Sequence, residues 1–179
     1  LFSGMLLFIL VGYAGGTLFF SAIAQLIAGE KNRIGLSGFF KGYSQALLLA
    51  LMMVLVLFVL MIPMFLLTFV LLLIAPNLAQ FVVFFGFLGL VWVLIPLVFS
   101  PHGIFMLSMN VFQAMYASMR MVRRIFPGVM MFLITAFVFM QGMGVIWRIA
   151  PETSWLTVGG IFGNAFIVTG LLAASFVYY

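Results

Sequence analysis

Gly35-Leu36-Ser37-Gly38 sets a serine between glycines, and His102 is the only imidazole in the 179 residues. Serine and histidine make a nucleophile and its base when the hydroxyl reaches a ring nitrogen inside a watered cavity. A local account competes with that one. Ser37 follows Glu30-Lys31-Asn32-Arg33, where Gly-Ser-Gly is ordinary turn chemistry, and a serine opening a helix serves as its N-cap. The local account is the expectation here. His102 in an apolar setting is also a candidate axial ligand for a haem or chlorin, since neutral imidazole binds such metals well. The plainer expectation is a histidine at the helix end marked by Ser100-Pro101, satisfied by water or a carbonyl. The remaining inventory is short: two glutamates (Glu30 and Glu152), no aspartate and no cysteine. Two-metal phosphoryl transfer needs clustered carboxylates, structural zinc needs four ligands, and thiol chemistry needs a thiol. All three are excluded, and the chain is expected to be no enzyme and to hold no metal.

These residues must be positioned by elements suited to lipid. Charged residues make up 5% of the chain and hydrophobic ones 68%, whereas soluble domains carry about 25% charged residues. Too few polar side chains exist to cover a globule in water. Five apolar runs are long enough to cross a hydrocarbon layer of about 30 Å as helices: 1–28, 46–74, 78–100, 125–147 and 155–177. The runs are continuous, without the alternation of barrel strands. The expected fold is therefore all-α, a polytopic transmembrane helical bundle in one integral membrane domain. The second run exceeds the hydrocarbon, and tilt or a kink at Pro63 would absorb the excess. The uncharged Pro76-Asn77 turn makes the second and third spans antiparallel neighbours.

Charge places the ends. Glu30, Lys31, Arg33 and Lys41 give +2 after the first span, and Arg120, Arg123 and Arg124 give +3 after the third. The intervening ends hold no charge at Pro76-Asn77 and a balanced Arg148 and Glu152. Basic loops face the cytoplasm, so Leu1 is expected outside and Tyr179 inside a cell inner (plasma) membrane. A sixth helix ahead of Leu1 would return the chain to the cytoplasm. Trp147 and Trp155, with Tyr178 and Tyr179 at the other face, read as interfacial aromatic belts.

Residues 104–124 differ from the runs around them. Asn110, Gln113, Ala117, Arg120 and Arg124 form one polar stripe at helical spacing, with Val111, Phe112, Met115, Met119 and Val122 opposite. This pattern predicts an amphipathic helix lying in the cytoplasmic interface. Its Arg120, Arg123 and Arg124 are candidates for anionic lipid headgroups. Residues 39–45 form a shorter counterpart, with Lys41, Ser44 and Gln45 polar, so the order of span, basic segment and span suggests a duplication. Gly12-xxx-Gly16 and Gly159-xxx-Gly163 are small-residue patterns that let helices approach, and Gln141 and Asn164 read as interhelical hydrogen-bonding groups.

The run Asn110-Val111-Phe112-Gln113-Ala114-Met115-Tyr116-Ala117-Ser118-Met119-Arg120, followed by a span opening on Pro-Gly, resembles a loose group of multi-pass bacterial membrane proteins. The group includes the membrane domain fused to some glycerophosphodiester phosphodiesterases. The likeness covers about residues 80–179 and implies a six-helix layout without an activity to carry over. The expected function is that of a non-catalytic structural or accessory subunit of a larger membrane complex. Membrane lipids and other membrane subunits are its expected partners, with no nucleic acid. The alternative is a small-solute transporter or the substrate-binding membrane component of an importer, which ordinarily carries polar groups at midplane.

Overall fold

The computed structural model describes residues 2–28, 36–147 and 155–179. Seven helices account for nearly all of them: α1 Phe2–Ala28, α2 Leu36–Ile74, α3 Pro76–Val98, α4 Ser100–Leu107, α5 Val111–Arg124, α6 Phe126–Trp147 and α7 Trp155–Tyr178. Five stretches are long and apolar enough to cross a membrane: α1, α2, α3 continued by α4, α6 and α7. The protein is all-α and multi-pass, as its apolar runs require. Leu1, the loop with Glu30, Lys31, Arg33 and Gly35, and the loop with Arg148 and Glu152 lie outside the described residues.

The element boundaries differ from expectation where prolines and one left-handed residue act. α2 has 39 residues, about 58 Å at helical rise, and residues 39–45 are its first turns rather than a separate interfacial piece. Ser37 therefore stands inside the first turn, exposed, and is not an N-cap. Pro63 lies within α2 without ending it. At the far end only Ala75 leaves the helical state. Its carbonyl accepts from Leu78 N at 2.9 Å and Ala79 N at 3.3 Å, and Pro76 opens α3. A proline at that position gives up an amide that has no helical partner anyway.

The third span does not stop at residue 100. Pro96 and Pro101 bracket Phe99 and remove two helical donors around it. The chain turns there, with Phe99 N bonded to the Pro96 carbonyl at 3.3 Å, and resumes as α4. The single amphipathic helix expected over 104–124 is consequently two pieces. Ser108 adopts the left-handed conformation (φ 53°, ψ 29°), and Met109 N returns to the Gly103 carbonyl at 3.1 Å. α4 is apolar and buried through His102, Gly103, Ile104 and Phe105; α5 alone is amphipathic. Because residues 39–45 merge into α2 while 111–124 stand free as α5, these two segments are not built alike, contrary to the suggested duplication.

The core lies at one end of the bundle. Ile23 and Ala24 of α1, Leu49 of α2, Ile104 and Phe105 of α4, Val111 and Ala114 of α5 and Phe176 of α7 form one cluster. Phe99, Val122 and Val129 form a second, flanked by Ile95, Phe126 and Tyr179. Every described charged side chain (Lys41, Arg120, Arg123 and Arg124) belongs to this basic end. Away from it the helices form two pairs, α2 with α3 and α6 with α7. Only 6% of the most apolar window of α2, and 6% of that of α6, is buried within the chain.

Candidate functional site

Three arrangements at the basic end carry polar or concave chemistry: a buried node on His102, the arginine face of α5, and a cavity between α1, α2 and α4.

The node joins helices remote in sequence. Pro101 stands in the first turn of α4, and His102 beside it points into the core, where it is 3% exposed. Its Nδ1 stands 3.1 Å from the Phe99 carbonyl and its Nε2 2.7 Å from Ser175 Oγ. A carbonyl oxygen only accepts, so the neutral ring carries its proton on Nδ1 and Nε2 accepts from the Ser175 hydroxyl. Ser175 Oγ also lies 2.6 Å from the Leu172 carbonyl, an alternative acceptor for the same proton. The rings of Phe176 and Tyr179 pack on the imidazole with centroids 4.3 and 5.6 Å away. Beyond Tyr179, Ser118 of α5 donates to its hydroxyl at 3.4 Å. This connectivity is that of a serine–histidine pair with a carbonyl orienting the base. The serine is Ser175, though, not the Ser37 of Gly35-Leu36-Ser37-Gly38. Both ring nitrogens of His102 have partners, so ligating a haem or chlorin through Nε2 would require breaking the Ser175 bond. Tyr179 closes this node instead of forming an interfacial belt.

The same close packing explains Gly103. A Cβ built on it would lie 2.8 Å from Tyr179 Oη and 3.1 and 3.3 Å from the Cβ and Cα of Ala114. α4 and α5 touch backbone to side chain here, an approach that glycine eases and that any side chain at 103 would crowd. Gln45 supports α5 from another direction. Its Oε1 accepts from Val111 N at 2.9 Å, capping an amide that has no partner in its own helix. Gln113 reaches back to Asn110 N at 3.4 Å.

The buried face of α5 is Val111, Ala114, Ser118 and Val122, rotated from the expected apolar side toward its small residues. Phe112 is 63% exposed. The three arginines divide accordingly. Arg120 and Arg124, one turn apart, share an open cavity of about 520 Å³ with Tyr116. Arg123 faces the other way, beside Trp92, Pro96 and Phe126.

The glycine patterns also divide. A Cβ on Gly163 would run into the Trp147 indole of α6, and one on Gly160 would touch it, whereas Gly159 faces open space. The α6–α7 contact thus uses Gly160 and Gly163, with Trp147 turned inward; Trp155 is 90% exposed. Gly12 and Gly16 meet nothing within 4 Å. They line a cavity of about 490 Å³ between α1, α2 and α4.

Sequence reasoning missed Ser175, Gln45 and Gly103 as contact residues. Their signals were a serine in the last turn of the final span, a glutamine ahead of a long apolar run, and a glycine directly after His102. None of these names a partner. Comparison with protein-family models, curated proteins and solved structures gave no match to this chain.

Proposed function

We propose that this chain is a non-catalytic subunit of a larger integral membrane complex, seated in a bacterial inner membrane with its basic end toward the cytoplasm. Asn164 carries the reading. It sits on α7 between Trp155 and Tyr178, is exposed, and has no hydrogen-bond partner among the described residues. An unpaired carboxamide facing hydrocarbon is costly and is relieved by a polar or backbone group on an adjacent helix. Gln141, exposed on α6, presents a second such group. The small share of α2 and α6 that is buried within the chain supports the same reading. The transporter alternative has less support, because the described spanning segments deeper than the basic end carry no charged side chain. Arg120 and Arg124 act as headgroup anchors on anionic lipid, each worth about 1 kcal/mol at such a surface.

The test is a photo-reactive residue in place of Asn164, cross-linked in native membranes. Capture of one defined membrane protein supports the subunit role. Capture of lipid alone, with a monomer recovered in mild detergent, overturns it. Orientation is tested by cysteines in intact cells: Asn77→Cys should label with an impermeant thiol reagent, while Ser37→Cys and Tyr116→Cys should not. Reversed labelling inverts the assignment.

A further inference from the structure

We propose that the cavity between α1, α2 and α4 is a binding site for one hydrocarbon chain of an anionic lipid. One face of α1, from Ile9 to Phe20, forms its long wall, and Ala46, Ala50 and Met53 of α2 stand opposite. Phe105 and Pro101 of α4 close it at the basic end. Two of its lining side chains, Tyr13 and Thr17, carry a hydroxyl, and Thr17 bonds its own to the Tyr13 carbonyl of the same helix at 2.8 Å. The Thr17 proton is spent inside α1, and apart from the Tyr13 phenol the other lining side chains are apolar, so the wall suits a largely apolar ligand.

Size selects the occupant. Ile9 to Phe20 covers about 16 Å at helical rise, so 490 Å³ corresponds to a mean cross-section of about 30 Å². A transmembrane helix about 10 Å across is wider than such a slot and would rest across its mouth instead of filling it. A hydrocarbon chain fits. The volume far exceeds the roughly 10–15 Å³ of such space that one water needs, and it extends along the α1 wall as a chain of methylenes would. Gly12 and Gly16 make the room: a Cβ at either meets no neighbour, so the packing of the chain does not need them, whereas the cavity does. Charge selects the head. The described charged residues are all cations at this end, Lys41 among them five positions before Ala46, and they attract an anionic headgroup in that leaflet.

The experiment counts lipid retained per chain after extraction from phosphatidylglycerol vesicles and detergent washing, by native mass spectrometry. The wild-type protein should keep about one phosphatidylglycerol. Gly16→Leu, filling the cavity from α1, and Ala50→Phe, filling it from α2, should each lower occupancy at least tenfold while the melting temperature holds. Gly159→Leu, which enters open space elsewhere, should retain the lipid. Equal retention in both cavity variants overturns the site. So does a protein adduct, in place of a lipid adduct, at a photo-reactive residue replacing Ala50. Equal retention of phosphatidylcholine overturns the choice of an anionic head.

Discussion

The basic end of the molecule carries the amphipathic α5 and the described charges while the opposite end is the more apolar, yet only the first has a core. At the basic end, α4 and α5 lock the ends of α1, α3 and α7 around Gly103, Ala114, Ser118, His102 and Ser175. At the other end, α2 and α3 present Phe58, Phe65, Phe81 and Phe85 outward, and α6 and α7 present Phe137 and Phe162. The difference follows from the solvent. Lipid tails solvate leucine and phenylalanine as well as another helix does, so bulk hydrophobicity drives no association. Helices meet where small residues admit close contact and polar groups need partners.

The largest effect should come from filling the tightest contact. Gly103→Leu forces α4 and α5 apart, and overpacking of this kind costs about 1–3 kcal/mol, or more where backbone must move. Thermal unfolding in mild detergent should show a clearly lowered transition, while Gly142→Leu, open at the other end, leaves it in place. A Gly103→Leu protein as stable as wild type would falsify the view that the basic end holds the fold.

Next in size is the node. His102→Ala removes two hydrogen bonds and the ring packed by Phe176 and Tyr179, an expected loss of about 2–3 kcal/mol. Ser175→Ala should cost about 1 kcal/mol, and the double variant should show a coupling of about 1 kcal/mol between them. Additive losses would mean that the two side chains do not share a bond. A serine-directed hydrolase probe should leave Ser175 and Ser37 unmodified; a stoichiometric adduct at Ser175 would make the node catalytic.

Within the opposite end, Gly163→Leu meets the Trp147 indole and should weaken the α6–α7 pair by about 1–2 kcal/mol, while Gly159→Leu changes nothing. Equal responses would assign the two glycines to one interface after all. The smallest change expected is a gain. Ser108 holds a left-handed conformation that glycine adopts without strain, so Ser108→Gly should raise stability by up to about 1 kcal/mol. An unchanged or lower transition would show that the Ser108 turn is not a strained cap.

Legibility tracked the physics of each feature. The spans could be read because hydrocarbon demands long uninterrupted apolar helices, and 155–177 and 125–147 agree with α7 and α6 to within a residue. The α4–α5 break could not, because its left-handed residue is a serine and 108–110 contains neither glycine nor proline. Nor could the inward face of α5, because the apolar pattern of an interfacial helix marks Phe112, Met115 and Met119 as its buried side. In lipid Phe112 gains little by burial, and the small Ala114 and Ser118 go inside because α4 must come close. His102 was identified as a notable residue, but its partner lies 73 positions away, beyond any spacing argument.

The sequence by itself determined the solvent, the helical class and the five crossings, since these depend on composition and run length along the chain. The tertiary structure alone decided that Ser175 and not Ser37 meets His102, that Gln45 caps α5, that Gly163 rather than Gly159 meets Trp147, and that Gly12 and Gly16 open a cavity. Those outcomes depend on distances between helices, and in lipid such distances are set by the fit of small and polar side chains rather than by hydrophobic pattern.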